Sequence, residues 1–309
     1  MKKILAIDGG GIRGLIPALV LAEMESRTRQ PIAGLFDLLA GTSTGGIIAL
    51  GLTRDNGHGA PLYPAMQMAE FYENRGPEIF GSPKLWWLDP KYDVDIHGIF
   101  QSLFGDALLG QARKPVLISS YDLGNRRPFF FKSWTDEDRK IDTRDVLMVS
   151  AAWATSAAPT YFPPARLRID ATEYTLIDGG VFVNNPAMSA YAEARRYFPD
   201  ETKFLLVSLG TGRKTQRIPY DEAYDWGILE WLPRLLDVVF DGVCDAVDYQ
   251  LEKILKGNFF RFQTDLHIAN PDMDDASPEN LEKLKAEAQE LINAQSANLD
   301  EVCRLLTEN

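Results

Sequence analysis

The stretch Leu35-Phe36-Asp37-Leu38-Leu39-Ala40-Gly41-Thr42-Ser43-Thr44-Gly45-Gly46-Ile47-Ile48-Ala49-Leu50 decides how this chain folds. Leu35–Ala40 reads as a short buried strand, and from Gly46 onward the apolar residues open a helix. Between them Gly41-Thr42-Ser43-Thr44-Gly45 forms a G-x-S-x-G pentapeptide. A serine on a strand-to-helix turn is held in a strained conformation that pushes its hydroxyl out of the sheet. Gly41 and Gly45 leave room for that turn and for close approach of a substrate. Small-residue turns of the same composition also occur without chemistry, so the surroundings of the pentapeptide carry the argument.

Upstream, a strand over Lys3–Ile7, a glycine-rich loop and a helix over Leu15–Arg27 lead into this segment. Strand–helix–strand–helix alternation implies an α/β fold with a mostly parallel sheet and helices on its faces. Downstream we expect a helix near Tyr63–Asn74 and then an irregular stretch, Gly76–Asp95, that holds Trp86-Trp87. Strands follow at Pro115–Tyr121 and Pro128–Trp134, joined by the turn Asp122–Asn125. A helix over Asp145–Ser156, a strand at Tyr174–Ile177, a helix from Asn185-Pro186 to Arg196 and a strand at Lys203–Leu209 come next. Residues 225–256 and 278–307 read as helices. Ser277 is placed to cap the second, with Pro278 at its first position. Leu281, Leu284, Ala288, Leu291, Ile292, Leu299, Val302 and Leu305 give it one apolar face. Without a repeat or a linker-like tract, the expectation is a single catalytic domain over residues 1–309 with the 278–307 helix packed on it.

Bulk properties bound the function. A net charge of −12 argues against nucleic-acid binding and against purely electrostatic docking on anionic lipid. Cys244 and Cys303 are the only cysteines, so no disulfide framework or thiolate metal cluster is expected, and the reading needs neither metal nor cofactor. Asp8 interrupts the apolar start after four residues, too soon for a secretory signal. No apolar run approaches the roughly 18 residues of a membrane span. These features point to a cytoplasmic protein that meets membranes peripherally.

Three sequence pieces converge on one site. The first is Asp8-Gly9-Gly10-Gly11-Ile12-Arg13-Gly14, directly after the first strand. Gly9, Gly11 and Gly14 satisfy the dinucleotide fingerprint G-x-G-x-x-G, but the second strand ends in the serine elbow where an acidic ribose partner belongs. The other reading is an anion hole built from glycine-loop amides at a helix start, aimed at the oxyanion of an acyl-transfer intermediate. Arg13 either adds positive potential there or makes a structural ion pair. The second piece is the Ser43 elbow, at the same carboxyl end of the sheet. The third is Asp178 in Asp178-Gly179-Gly180, at the end of an apolar strand, where the glycines let the chain turn back. A serine needs a base. Of the three histidines, His58 and His97 lie in glycine-containing loop segments. His267 completes the order Ser43–Asp178–His267 known from α/β-hydrolases. A Ser43–Asp178 dyad is the alternative that needs no histidine.

Together, Asp8–Gly14, Gly41–Gly45 and Asp178–Gly180 resemble the patatin-like phospholipase family. The likeness continues through Ala154-Thr155-Ser156-Ala157-Ala158-Pro159-Thr160-Tyr161-Phe162 and Ser208–Gly212, and more weakly through Asp272–Ser277. Membership implies a three-layer α/β/α fold and a phospholipase A-type acyl hydrolase working through an acyl-enzyme. It casts Ser43 as nucleophile and Asp178 as base, with the oxyanion held by the loop Gly9, Gly10, Gly11, Ile12 and Arg13. Gly14, Gly41, Gly45, Gly179 and Gly180 support these motifs. The competing readings are a carboxylesterase using Ser43, Asp178 and His267, and a non-catalytic dinucleotide-binding module.

A lipid substrate implies apolar contact surface. Leu85-Trp86-Trp87-Leu88 is one candidate. The other is the segment carrying Trp226, Leu229, Trp231, Leu232, Leu235, Leu236, Val239 and Phe240, whose apolar stripe equally fits core packing, a lid or a dimer face. A phospholipase loose in the cytoplasm would threaten its own membrane, which implies an activator.

Overall fold

The computed structural model describes residues 1–81, 91–92, 94–136, 141–215 and 217–308. Trp86-Trp87 lies outside them. The strands are β1 (Lys2–Ile7), β2 (Leu38–Thr42), β3 (Val116–Asp122), β4 (Arg127–Lys132), β5 (Ala165–Ile169), β6 (Thr172–Asp178), β7 (Phe204–Leu209), β8 (Arg213–Lys214), β9 (Phe259–Phe262) and β10 (Asp265–Leu266). The helices are α1 (Leu15–Thr28), α2 (Ile32–Leu35), α3 (Thr44–Thr53), α4 (Ala65–Phe80), α5 (Ile96–Phe104), α6 (Met148–Ser156), α7 (Gly180–Val183), α8 (Ala187–Tyr197), α9 (Tyr220–Ala223), α10 (Ile228–Leu255), α11 (Pro278–Ala294) and α12 (Ser296–Thr307).

The apolar runs Ile4–Ile7 of β1, Leu38–Ala40 of β2 and Phe204–Val207 of β7 are what a strand buried on both faces requires. Alternate residues serve two cores. Leu5, Ile7, Leu39, Ile118, Leu205 and Val207 face one, against α1, α3, α4, α5, α6, α11 and α12. Ile4, Ala6, Leu38, Ala40, Leu117 and Leu206 face the other, against α8 and the C-terminal half of α10. The result is a helix–sheet–helix sandwich with unequal outer layers.

The main sheet runs β5-β6-β3-β2-β1-β7-β9, with β4 also on β3. Its centre, β3-β2-β1-β7-β9, is parallel, while β4, β5 and β6 join antiparallel. One consequence builds the site. β4 pairs with β3 from Leu117–Lys132 to Asp122–Arg127 and so occupies one edge. The other edge is divided: β2 takes Val116–Ser119 in parallel, and β6 arrives from the opposite direction to take Ser120–Asp122. Thr42 ends β2 opposite Ser119, and Asp178 ends β6 opposite Ser120. The two strand ends therefore abut, which puts the residues after Thr42 beside Asp178.

Three local expectations change. The segment before the elbow is not strand throughout, because Pro31 opens a short helix, α2, and the strand begins at Leu38. β5 joins the sheet although its five residues carried no strand assignment. The expected 278–307 helix is two helices meeting at Gln295, an angle that lets both α11 and α12 lie along α1. Ser277 does accept the Asn280 amide as cap, with Pro278 following. Among the described residues no helix is long and apolar enough to cross a membrane.

Candidate active site

Ser43 is the residue between β2 and α3, with φ 53° and ψ −122°. A non-glycine residue there costs on the order of 1–3 kcal/mol and persists only where its surroundings enforce it. They do. Ser43 N–H donates to Thr155 Oγ1 at 2.8 Å, and the Thr155 hydroxyl donates in turn to the Ser119 carbonyl at 2.6 Å. Gly45 lies so close to β1 that a Cβ would collide with the Ile7 carbonyl, so the elbow is locked against the end of that strand. Ser43 itself is half-buried and faces a pocket.

The Ser43 hydroxyl and the Asp178 carboxylate face the same end of the pocket, near enough for the hydroxyl to act on the carboxyl's titration, and Gly180 N–H donates to Asp178 Oδ1 at 2.7 Å. Asp178 is 6% exposed. Among the described residues no cation pairs with it. Burial therefore outweighs the lowering effect of the Ser43 hydroxyl and the Gly180 amide and pushes its pKa up to about 6.

The glycine loop approaches from β1. Gly9 N–H donates to the Asn184 carbonyl, Ile12 N–H to the Met273 carbonyl and Arg13 N–H to the Gly10 carbonyl. These three amides of the expected anion hole are thus occupied by the fold. The Gly10 and Gly11 amides have no acceptor among the described residues, and these two residues line the pocket beside Ser43. Gly11 has φ 59°, and a Cβ on it would strike the Met273 carbonyl. The Arg13 side chain donates to the carbonyls of Gly10 and Pro271, pinning the loop to residues 270–275 instead of facing the pocket.

The pocket has an interior of about 90 Å³, several times what one water needs. Its polar end holds Ser43, Asp178, Gly10, Gly11 and Asn184; its body is walled by Ile47, Phe71, Ile79, Phe80, Phe100 and Phe162, and Val181 and Phe240 complete it. None of the three histidines lines it. His58 and His97 are exposed, and His97 meets the edge of Trp153. His267 is exposed on the loop tied to Glu287, so the Ser43–Asp178–His267 arrangement is not assembled. The site also argues against the dinucleotide reading, because Ser43 and an apolar chamber stand where a ribose and its acidic partner would go. Among the described residues no group of three or more His, Cys, Asp or Glu side chains could hold a metal.

Reading the sequence missed Thr155, Ser119 and Asn184. Only Thr155 lay in a quoted motif, and nothing in that motif ties its hydroxyl to the Ser43 amide.

Fold and site together define an α/β protein with a pocket-facing serine beside a buried carboxylate at the carboxyl end of a largely parallel sheet. The family model for patatin-like phospholipases matches residues 5–191, and the chain belongs to that family. It is 34% identical to Patatin-like protein 2 of Arabidopsis thaliana, an alignment that spans 97% of this chain and 85% of that one. It is 31% identical to Patatin-11 of Solanum tuberosum, over 92% and 82% of the two chains. Among solved structures, VipD from Legionella pneumophila aligns with 95% of this chain and 67% of its own at 10% identity and a TM-score of 0.38, too loose a likeness to bear on function.

Proposed function

We propose that this chain is a lipid acyl hydrolase that cleaves fatty-acyl esters of phospholipids or glycerolipids with Ser43 and Asp178. The observation that carries the reading is the placement of Ser43, on a positive-φ turn, beside a buried carboxylate with no cation partner among the described residues, both at the end of one apolar chamber. The acyl chain occupies the chamber between α3, α4 and α5, and its ester carbonyl meets Ser43. Asp178 takes the hydroxyl proton as Ser43 Oγ bonds to the carbonyl carbon. The Gly10 and Gly11 amides receive the developing oxyanion. Collapse of the tetrahedral intermediate expels the alcohol, which leaves with the proton held by Asp178. A water molecule then attacks the acyl-enzyme, giving up its proton to Asp178, and the fatty acid departs as Ser43 recovers its own.

Release of fatty acid from phospholipid mixed micelles, compared for the parent, Ser43→Ala and Asp178→Asn, tests the proposal. Parent activity with turnover lowered by at least about 10³ in each variant supports it. Comparable release by Ser43→Ala sinks it.

A further inference from the structure

α10 is apolar on two opposite faces. Its inner stripe, Phe240, Cys244, Val247 and Leu251, recurs at helical spacing and packs toward the fold, with Phe240 reaching the catalytic pocket and Val247 and Leu251 in the second core. Its outer stripe is uncovered. Trp231, Leu235, Val238 and Val239 fall on the other side of the helix and are 41, 47, 44 and 39% exposed. Just upstream, Tyr220 and Tyr224 are 75 and 69% exposed, their rings 5.4 Å apart. A helix apolar all round is ordinarily buried all round. The expectation that this stripe is core packing fails for the outer face.

We propose that this face, Tyr220, Tyr224, Trp231, Leu235, Val238 and Val239, docks the enzyme on an uncharged or zwitterionic lipid surface, an inference that rests on the acyl-hydrolase reading. Two observations select lipid as the occupant. The first is continuity: Val239 is the chain neighbour of Phe240, so the outer stripe begins where the helix meets the acyl pocket. A lipid surface on the stripe brings acyl esters to the same helix that walls the acyl chamber through Phe240. The second is charge. Among the described side chains Glu230, Asp241 and Asp245 accompany the stripe, against Arg234 within it and Arg213 beside Asp245, and the whole chain carries −12. Anionic lipid is repelled by such a face. Tryptophan and tyrosine rings with neighbouring aliphatic side chains suit the headgroup layer of a neutral surface, where insertion is driven by apolar area.

The test compares the parent with the combined variant Trp231→Ser, Leu235→Ser and Val239→Ser, all at exposed positions outside the pocket. Binding is measured by sedimentation with vesicles of phosphatidylcholine alone or phosphatidylcholine with phosphatidylserine, in a Ser43→Ala background so that the lipid survives. Turnover of a short-chain ester below its micellar concentration is measured with Ser43 intact. The expected result is parent binding to phosphatidylcholine that changes little with salt and weakens when phosphatidylserine is added. The variant should lose on the order of tenfold or more in binding while keeping monomeric-ester turnover. Equal vesicle binding by parent and variant overturns the proposal. So does a parent that ignores phosphatidylcholine, or one whose outer face proves to be covered in a dimer that the variant dissociates. Loss of ester turnover in the parent itself would instead overturn the hydrolase reading, and vesicle binding would still decide the docking face on its own.

Discussion

At the residue scale, the serine–carboxylate pair makes predictions of opposite sign for activity and stability. Asp178 must be ionised to accept the Ser43 proton, so kcat/KM should fall on the acid side with a midpoint near the raised pKa of about 6. Stability runs the other way. The folded pKa lies above the ordinary aspartate value of about 3.9, so between those values the native state binds more protons than the unfolded state. Stability is therefore lost as pH rises from about 4 to 6 and stays lower above. Asp178→Asn should abolish turnover yet raise unfolding free energy at pH 8 by roughly 1–3 kcal/mol, a gain that shrinks toward zero at pH 4. Urea unfolding at the two pH values checks this, and a variant no more stable than the parent at pH 8 would refute the burial argument. Thr155 gives a second prediction. Thr155→Val keeps the shape but removes the acceptor for the Ser43 amide and the donor to Ser119. Leaving a buried amide unpaired costs about 1–3 kcal/mol, and it falls on the residue whose conformation is already strained. We expect kcat to drop roughly tenfold or more with KM little changed, and Thr155→Ser to restore most of it; an equal loss in both variants would assign Thr155 to packing alone.

At the element scale, what the sequence disclosed follows from how local each signal is. The elbow, the glycine loop and Asp178 were legible because each couples an apolar strand to a turn that only certain residues make. The outermost strand of the antiparallel edge, β5, was harder. β5 does carry a signal, since Ala165, Leu167 and Ile169 are buried while Arg166 and Arg168 are exposed, a clean period of two. The break between α11 and α12 has none, because Gln295 is neither glycine nor proline and the apolar face continues across it. Packing on α1 sets that angle, a property of the assembled layers. Likewise, the engagement of the Gly9, Ile12 and Arg13 amides depends on Asn184, Gly10 and Met273, two of them far along the chain. The α11 start is local, and it is testable as such. Ser277→Ala removes the one side-chain acceptor for the Asn280 amide and should cost about 1 kcal/mol by urea unfolding, with ester turnover unchanged.

At the scale of the whole molecule, one buried cluster joins the elements that converge behind the glycine loop. Arg261 on β9 donates to Asp8 Oδ2 at 2.6 Å, to Asp248 Oδ2 on α10 at 3.1 Å and to Ser208 Oγ on β7 at 2.9 Å. Asp248 also accepts from Asn185, at the start of α8. Asp8 is 1% exposed, its Oδ1 has no partner among the described residues, and burial raises its pKa to about 6 despite the guanidinium. Such a pair contributes little net stability compared with apolar residues, but removing one member strands a charge in the interior. Arg261→Met should therefore cost about 3–5 kcal/mol at pH 8. The cost should be smaller at pH 5, because the stranded Asp8 carboxyl then protonates at little expense. Adding Asp8→Asn to Arg261→Met should recover a substantial part of the loss at pH 8 and almost none at pH 5. Because Asp8 immediately precedes Gly9, the single variant should also lose ester turnover at pH 8, and the double variant should regain some of it. If unfolding of Arg261→Met were instead equally costly at both pH values and indifferent to Asp8→Asn, the arginine would act through its packing and its bonds to Ser208 and Asp248, and the charge of Asp8 would have no part in holding the loop.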